Sequence, residues 1–210
     1  MSWKAMAAAA VLVLSGVMGA SAQPVPDANF AKERPSADAR FMAQWVLQNE
    51  DHGRRPFAIV DKKDARIFFF HADGRLAGAS AVLLGSTRGD HSVPGVGERA
   101  QEGQVGLAER TTPAGRFLTH PGRNLEGEHV IWVDYKSAFA IHRVREGASR
   151  DRRLARLASP SSRDKRTSLG CVVVPVAFYE NVVGPMLGKT RGVVYVLPET
   201  QSVQELFGAL

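Results

Sequence analysis

The chain of 210 residues contains a single cysteine, Cys171, and this scarcity excludes several classes of protein. One thiol cannot form an internal disulfide, and it cannot build a zinc or iron–sulfur site that requires several thiolates. Hydrophobic residues at 44% and charged residues at 23% are ordinary for a globular domain and argue against wholesale disorder. The composition therefore excludes a disulfide scaffold, a collagen, a coiled coil and a polytopic membrane protein.

The sequence also lacks complete motifs for common cofactors and nucleophiles. Residues 184–190 (GPMLGKT) place three residues between glycines where a phosphate loop needs four, and Gly95 and Gly97 are followed by Ala100 where a dinucleotide fingerprint needs a third glycine. No Gly-x-Ser-x-Gly elbow of a serine hydrolase is present. The six histidines form no His-x-His or His-x-x-x-His pair. We therefore expect no cofactor and no metal site.

Residues 1–22 have the pattern of a secretory signal peptide. Lys4 is followed by a small-residue apolar stretch of about 15 residues, which is shorter than a membrane span requires. Ala20, Ser21 and Ala22 then give the small-x-small pattern of a cleavage site. We expect cleavage after Ala22, export to the periplasm or cell envelope, and no membrane span in the mature chain. An exported thiol meets oxidising conditions, so Cys171 is either buried and inert or retained for its reactivity.

The remaining chain divides into four parts. Residues 23–37 are rich in proline, alanine and charge and are predicted to be a linker, and 38–56 are predicted to be an amphipathic helix with its connection. Residues 57–200 are predicted to be the main domain, and 201–210 a short C-terminal helix. Short apolar runs in the main domain predict strands at 57–60, 65–70, 76–84, 115–119, 130–135, 139–144, 171–174 and 193–197.

Helices are predicted at 150–158, 176–186 and 203–207, and the polar, glycine-rich segment 86–109 is predicted to be a long loop. The expected fold class is therefore a mostly antiparallel, mostly β domain with a few peripheral helices.

The positive charge of the chain is concentrated in one segment. The formal net charge is +6 with a pI of about 9.8, and residues 143–166 hold nine Lys or Arg against three acids. Such a segment is either a solvated helix face or a means of attracting a carboxylate-bearing substrate. Nucleic acid is not an expected partner, because export removes it and no recognition motif is present.

The surroundings of Cys171 fit the needs of thiol catalysis. A thiolate nucleophile needs a nearby base and fixed donors for the tetrahedral intermediate. Residues 167–174 (TSLGCVVV) form a polar turn with Gly170 before the cysteine, and the turn leads directly into a β-branched strand. His142 lies on another predicted strand (140–144, AIHRV) that could bring an imidazole to the same place.

These residues resemble the signature of the L,D-transpeptidase catalytic domain. The resemblance rests on Ser168-x-Gly170-Cys171-Val172 preceded by His142 on a strand. Residues 112–117 (TPAGRF) look like the Thr-Pro-x-Gly-x-Phe motif of that family, and 174–179 (VPVAFY) resemble the segment after the cysteine in one branch of it. The motifs occur in the family's order, and the resemblance extends from about residue 58 to residue 198.

The resemblance implies a β-sandwich-like fold and a role for each motif residue. Cys171 would be the nucleophile and His142 its activating base. The backbone N–H groups of Gly170 and Cys171 would stabilise the oxyanion, and Ser168 would help to orient the site. The implied reaction is attack on the amide after the third residue of a peptidoglycan tetrapeptide stem, with release of D-alanine, formation of a thioester, and transfer to an amine or water.

The sequence departs from the family pattern at three positions. Leu169 stands where many members have histidine, Val173 where they have Arg or Asn, and Arg143 where they have glycine. We expect Arg143 or Arg166 to supply the substrate-binding charge that position 173 lacks. Two alternatives stay open, a catalytically degenerate member that binds wall peptides and a cysteine amidase or carboxypeptidase. The sequence leaves the acceptor and the oligomeric state undetermined.

Overall fold

The computed structural model describes residues 27–208, so the expected signal peptide lies outside the described residues. The strands are β1 (Phe57–Asp61), β2 (Arg66–Phe70), β3 (Leu76–Ala81), β4 (Leu84–Gly85), β5 (Gly115–Leu118), β6 (His120–Arg123), β7 (His129–Asp134), β8 (Phe139–Arg143), β9 (Arg166–Ser168), β10 (Val172–Val174) and β11 (Val193–Val196). The α-helices are α1 (Ala37–Gln48), α2 (Val96–Gln101), α3 (Arg150–Ala158), α4 (Val176–Phe178), α5 (Gly184–Leu187) and α6 (Val203–Phe207), and a π-helical segment, Tyr179–Val183, joins α4 to α5.

Two sheets pack face to face around the main core. The first has five strands in the order β3-β2-β1-β11-β5, and the second has four in the order β10-β8-β7-β6. A period of two sends every second side chain of each strand into the space between them. The buried core contains side chains from both sheets: Ala58, Val60, Ile67, Phe69, Val194 and Val196 from the first, and Ile131, Val133, Ile141, Val172 and Val174 from the second. The predicted fold class, a mostly β domain with a few helices, is confirmed.

The outer face of the five-stranded sheet carries a second core. Helices α1 and α6 lie over this face and bury Met42, Val46 and Phe207 against it. Ser36 caps the start of α1, because its hydroxyl accepts a hydrogen bond from the Ala39 N–H. The expected linker is partly structured, since the ring of Phe30 packs edge-on against the rings of two phenylalanines in β2.

Three short elements differ from the expected pattern. Strand β6 contains Pro121, whose missing N–H is tolerated because β6 is the edge of its sheet. Strand β9 is three residues long and too polar to show an apolar run. Helix α2 lies inside the expected loop 86–109, where it packs so closely that a Cβ on Gly97 would meet the Lys136 carbonyl.

A buried ion network beneath β9 connects the loops there. Its members are Lys62, Asp90, Arg166 and Glu199. The Lys62 ammonium is fully buried and lies 2.7 Å from Asp90. Asp90 also accepts hydrogen bonds from the Glu199 and Thr200 N–H groups, and Arg166 pairs with Glu199. These hydrogen bonds hold the pKa of Asp90 well below its usual range despite burial. Lys62 additionally donates to the carbonyls of Gly89 and Thr112, at 2.6 and 2.9 Å.

Replacing Lys62 with methionine is expected to lower the free energy of unfolding by about 3 kcal/mol, because Asp90 stays buried without its cation and the Gly89 and Thr112 carbonyls lose their donor. Lys63→Met is the matched control, since Lys63 is exposed and its loss is expected to change stability by less than about 0.5 kcal/mol. Urea denaturation of both variants measures the difference. A loss for Lys62→Met no larger than for Lys63→Met would contradict the structural role of the network.

Candidate active site

Strands β8 and β10 bring His142 and Cys171 to the same face of the four-stranded sheet. The two strands are parallel neighbours, with Val172 beside Ile141 and Val173 beside His142. Val172 and Ile141 point into the main core, so the alternation of a strand turns His142 and Cys171 to the opposite face. The register continues with Cys171 opposite Ala140, two residues along β8 from His142, so the residues predicted to be nucleophile and base lie diagonally on one face.

The turn before the cysteine is fixed by the Ser168 hydroxyl. It accepts a hydrogen bond from the Gly170 N–H at 3.1 Å and donates one to the Cys171 carbonyl at 2.6 Å. Gly170 has a φ of +137°, and a Cβ there would lie 2.9 Å from the Thr111 carbonyl oxygen, so the position requires glycine. The Gly170 N–H, expected as an oxyanion donor, is therefore used inside the turn, and the Cys171 N–H is the remaining one of the two.

A backbone contact determines the tautomer of His142. Its Nδ1 lies 2.7 Å from the Arg143 carbonyl oxygen, and because a carbonyl only accepts, Nδ1 must carry the proton. In the neutral ring Nε2 is then a free base. Enclosure of the ring, together with the charges of Arg145 and Arg153, lowers the pKa of His142 to about 4. The imidazole is therefore neutral at neutral pH.

The Cys171 thiol is also held in its neutral form. Its Sγ lies 3.5 Å from the Ala138 carbonyl oxygen, to which it donates. Burial raises the pKa of the thiol, while the Ala140 N–H and the charge of Arg145 act in the opposite direction. Burial therefore favours the neutral form of both side chains, the thiol of Cys171 and the imidazole of His142.

A cavity of about 320 Å³ opens over Cys171 and His142. Its walls come from the segment containing α2, from the β7–β8 hairpin and from the turn before the cysteine. Most of the lining is apolar, including Val96, Trp132 and Leu169. A cavity of this size, with an apolar lining and a few polar groups, has the features of a small-ligand site.

Arg145 contributes a positive charge to this cavity. Among the lining residues within 27–208 it is the single arginine or lysine. Its guanidinium lies 3.0 Å from Glu126 and 3.1 Å from Glu128, and Glu126 lines the same cavity. Sequence reasoning missed Arg145 because it belongs to a run of basic residues in which no spacing distinguishes it.

The two arginines expected to bind substrate lie elsewhere. Arg143 points to the other face of β8, where it approaches Glu128 and Glu180 at the surface. Arg166 is almost fully buried in the ion network with Glu199 and donates to the Lys62 carbonyl. Neither side chain lines the cavity over Cys171.

Val173 and Leu169, the other two residues that depart from the family pattern, lie in different environments. Val173 is 4% exposed and packs in a small apolar cluster with Leu83, Val144 and Leu157, the last of these from α3. An arginine there would have to displace this cluster. Leu169 is 48% exposed and forms part of the cavity rim.

Metal centres and membrane spans each have recognisable structural requirements. Within residues 27–208, no group of three or more His, Cys, Asp or Glu side chains is arranged to hold a metal ion. In the same part of the chain, no helix has the length and apolar character needed to cross a bilayer.

No protein-family model and no curated protein matches the sequence. Solved structures similar to the chain include the avibactam carbamoyl enzyme of Ldtfm, with 16% identity, a TM-score of 0.41, and coverage of 69% of this chain and 49% of that chain. They also include the catalytic domain of an L,D-transpeptidase from E. faecium, solved by NMR, with 17% identity, a TM-score of 0.36, and coverage of 69% and 98%. Both are L,D-transpeptidases. The chain spans about half the length of the first and nearly all of the second.

Proposed function

We propose that this protein is an exported cysteine acyltransferase that acts on peptidoglycan stem peptides in the cell envelope, with Cys171 as nucleophile and His142 as general base. The observation that carries the proposal is the placement of Cys171 and His142 on one sheet face under one cavity, with the imidazole locked in the tautomer that leaves Nε2 unprotonated. The expected signal peptide and the sequence motifs supply the substrate class and the compartment.

The reaction has two halves. In the first, Nε2 of His142 takes the thiol proton while the sulfur bonds to the carbonyl carbon of the third stem residue. The tetrahedral oxyanion accepts a hydrogen bond from the Cys171 N–H. The C–N bond then breaks, the imidazolium returns its proton to the leaving amine of D-alanine, and a thioester remains. In the second half an amine or water attacks the thioester, loses a proton to His142, and expels the thiol.

Arg145 is the residue proposed to bind a substrate carboxylate. It is placed in the cavity wall beside the reacting pair, and it pairs with two carboxylates from the β6–β7 connection. Its guanidinium has an Nε without a hydrogen-bond partner, so a carboxylate of the stem would find an unused donor there. This assignment replaces the expectation for Arg143 and Arg166.

The experiment that tests the function uses the mature protein beginning at Gln23 with purified disaccharide-tetrapeptides. Mass spectrometry of the products distinguishes cross-linked dimers, which indicate transfer to an amine, from tripeptides, which indicate transfer to water. Mass spectrometry of the protein should also show a thioester adduct on the peptide containing Cys171. Unchanged stems together with measurable stem binding would favour the degenerate binding alternative. Unchanged stems without binding would contradict the proposal.

Replacing Arg145 with glutamine is expected to raise KM for the tetrapeptide about 10-fold with little change in kcat, because a carboxylate contact of about 1.5 kcal/mol is lost in both ground and transition states. Arg152→Gln is the matched control, since Arg152 is an exposed arginine of the same basic segment and does not line the cavity over Cys171. Steady-state kinetics on both variants gives the comparison. Equal KM values for the two variants would contradict a role for Arg145 in binding.

A further inference from the structure

The hydroxyl of Thr112 joins two backbone groups beneath the active-site turn. The side chain is completely buried, and it lies outside the cavity lining. Its Oγ1 accepts a hydrogen bond from the Gly85 N–H at 2.8 Å and donates one to the Gly170 carbonyl at 2.8 Å. Thr112 therefore bridges β4 and the turn that carries the nucleophile without meeting any substrate itself.

The Gly170 carbonyl and the Cys171 N–H belong to the same peptide unit. In a trans peptide these two groups lie in one plane and point in opposite directions. A hydrogen bond that fixes the direction of the carbonyl therefore also fixes the direction of the N–H. Because the Gly170 N–H is occupied by Ser168, the Cys171 N–H is the donor left to the oxyanion.

We propose that Thr112 is a positioning residue that aims the Cys171 N–H at the oxyanion of the tetrahedral intermediate. The inference rests on the proposed function in so far as Cys171 is the nucleophile. It gives a role to a completely buried threonine outside the cavity, which the chemistry of the cysteine and histidine leaves unexplained.

The turn needs such an anchor because glycine allows its peptide planes to rotate. Ser168 restrains the peptide units on both sides, through the Gly170 N–H and the Cys171 carbonyl. The peptide unit between them is held by Thr112. Each of the three peptide units around the nucleophile thus has its own hydroxyl contact.

Thr112 is itself held firmly. Its carbonyl accepts a hydrogen bond from the buried Lys62 ammonium at 2.9 Å, so the ion network beneath β9 supports the residue that supports the turn. Its branched Cβ restricts the rotation of the side chain, which keeps the hydroxyl pointed at Gly170. A valine at this position would keep the shape and lose both hydrogen bonds.

The test compares Thr112→Val with Thr112→Ser using two probes of Cys171. Acylation by p-nitrophenyl acetate passes through a tetrahedral oxyanion, as the thiol bonds to the acetyl carbon and p-nitrophenolate leaves. Alkylation by iodoacetamide is a displacement at carbon with iodide leaving and forms no oxyanion. We expect Thr112→Val to slow acylation about 100-fold and alkylation less than 3-fold, in line with the loss of one oxyanion donor. Thr112→Ser, which keeps the hydroxyl, is expected to stay within about 3-fold of the unmodified protein for both probes.

Several results would overturn the proposal. These are unchanged acylation in Thr112→Val, a parallel fall of acylation and alkylation, or an equal fall in Thr112→Ser. Thermal unfolding establishes that each variant is folded, and Thr112→Ala is measured if the valine variant is not. If neither folds, the hydroxyl serves the fold as a whole and the positioning role is overturned. Neither probe contains a stem peptide, so inert stems with the expected acylation ratio would contradict the proposed substrate and leave the role of Thr112 standing.

Discussion

Replacing Cys171 with alanine is expected to reduce conversion of tetrapeptide stems by at least about 10⁴-fold, because removal of a covalent nucleophile leaves only binding and oxyanion stabilisation. The same variant should form no thioester adduct. Stem binding should persist, since Arg145 and the cavity walls are untouched. Kinetics, intact-protein mass spectrometry and calorimetric binding on the same preparation measure the three quantities.

The fold of the Cys171→Ala variant serves as its own control. The thiol makes two weak contacts, with the Ala138 carbonyl and the Ala140 N–H, so its loss should change the free energy of unfolding by no more than about 1 kcal/mol. Because Cys171 is the single cysteine, complete loss of thiol titration confirms the substitution. Residual turnover within tenfold of the unmodified protein would show that another group is the nucleophile.

Replacing His142 with glutamine is expected to lower kcat by about 10³-fold, the usual contribution of a general base. Glutamine can still donate to the Arg143 carbonyl, yet its amide cannot take the thiol proton. In the unmodified protein, the pKa of about 4 for His142 keeps Nε2 free across the neutral range and places the acid limb of kcat/KM near pH 4 rather than near 6.5. The pH profiles of both proteins test this.

The low pKa of His142 also has a consequence for stability. The folded chain resists protonation of this ring more than the unfolded chain, whose pKa is near 6.5. The neutral ring therefore makes its full contribution to the free energy of unfolding above pH 6.5. That contribution falls by about 3 kcal/mol in total as the pH drops towards 4.

The difference in unfolding free energy between the unmodified protein and His142→Gln should be constant above pH 6.5 and shift by this amount in favour of the variant at pH 4. Urea denaturation at both pH values measures it. A difference independent of pH would show that the pKa of the ring is the same in the folded and the unfolded chain, which would contradict its lowering by burial.

Local sequence patterns predicted the strands well because their signals are local. The apolar runs at 57–60, 139–144 and 193–197 contain their own evidence of burial, and β1, β8 and β11 lie where those runs occur. Strands β6 and β9 were missed because an edge strand and a three-residue strand depend on pairing partners rather than on their own composition. The short helix α2 was missed because the segment around it is polar and rich in glycine.

Some residues of the candidate site could be selected from the sequence, and others could not. Cys171 could be selected because it is the single cysteine and follows a glycine turn, and His142 because it lies on a predicted strand and fits the resemblance to the Ser-x-Gly-Cys signature. Arg145 could not be separated from Arg143 by sequence, since both belong to one basic segment and only the fold shows that Arg145 lines the cavity. The roles of Lys62 and Thr112 depend on contacts with partners 28 to 58 residues away, as in the Lys62–Asp90 and Thr112–Gly170 pairs. Such contacts leave no periodic signal.

Strand β11, the last strand within residues 27–208, lies in the interior of its sheet between β1 and β5. Its parallel pairing with β1 and antiparallel pairing with β5 mean that neither neighbour has a complete set of partners until β11 has been synthesised. A growing chain therefore cannot close this sheet before residues 193–196 have left the ribosome. The main core between the sheets remains open until then as well. A chain cut before residue 193 would consequently expose the edges of β1 and β5 to aggregation.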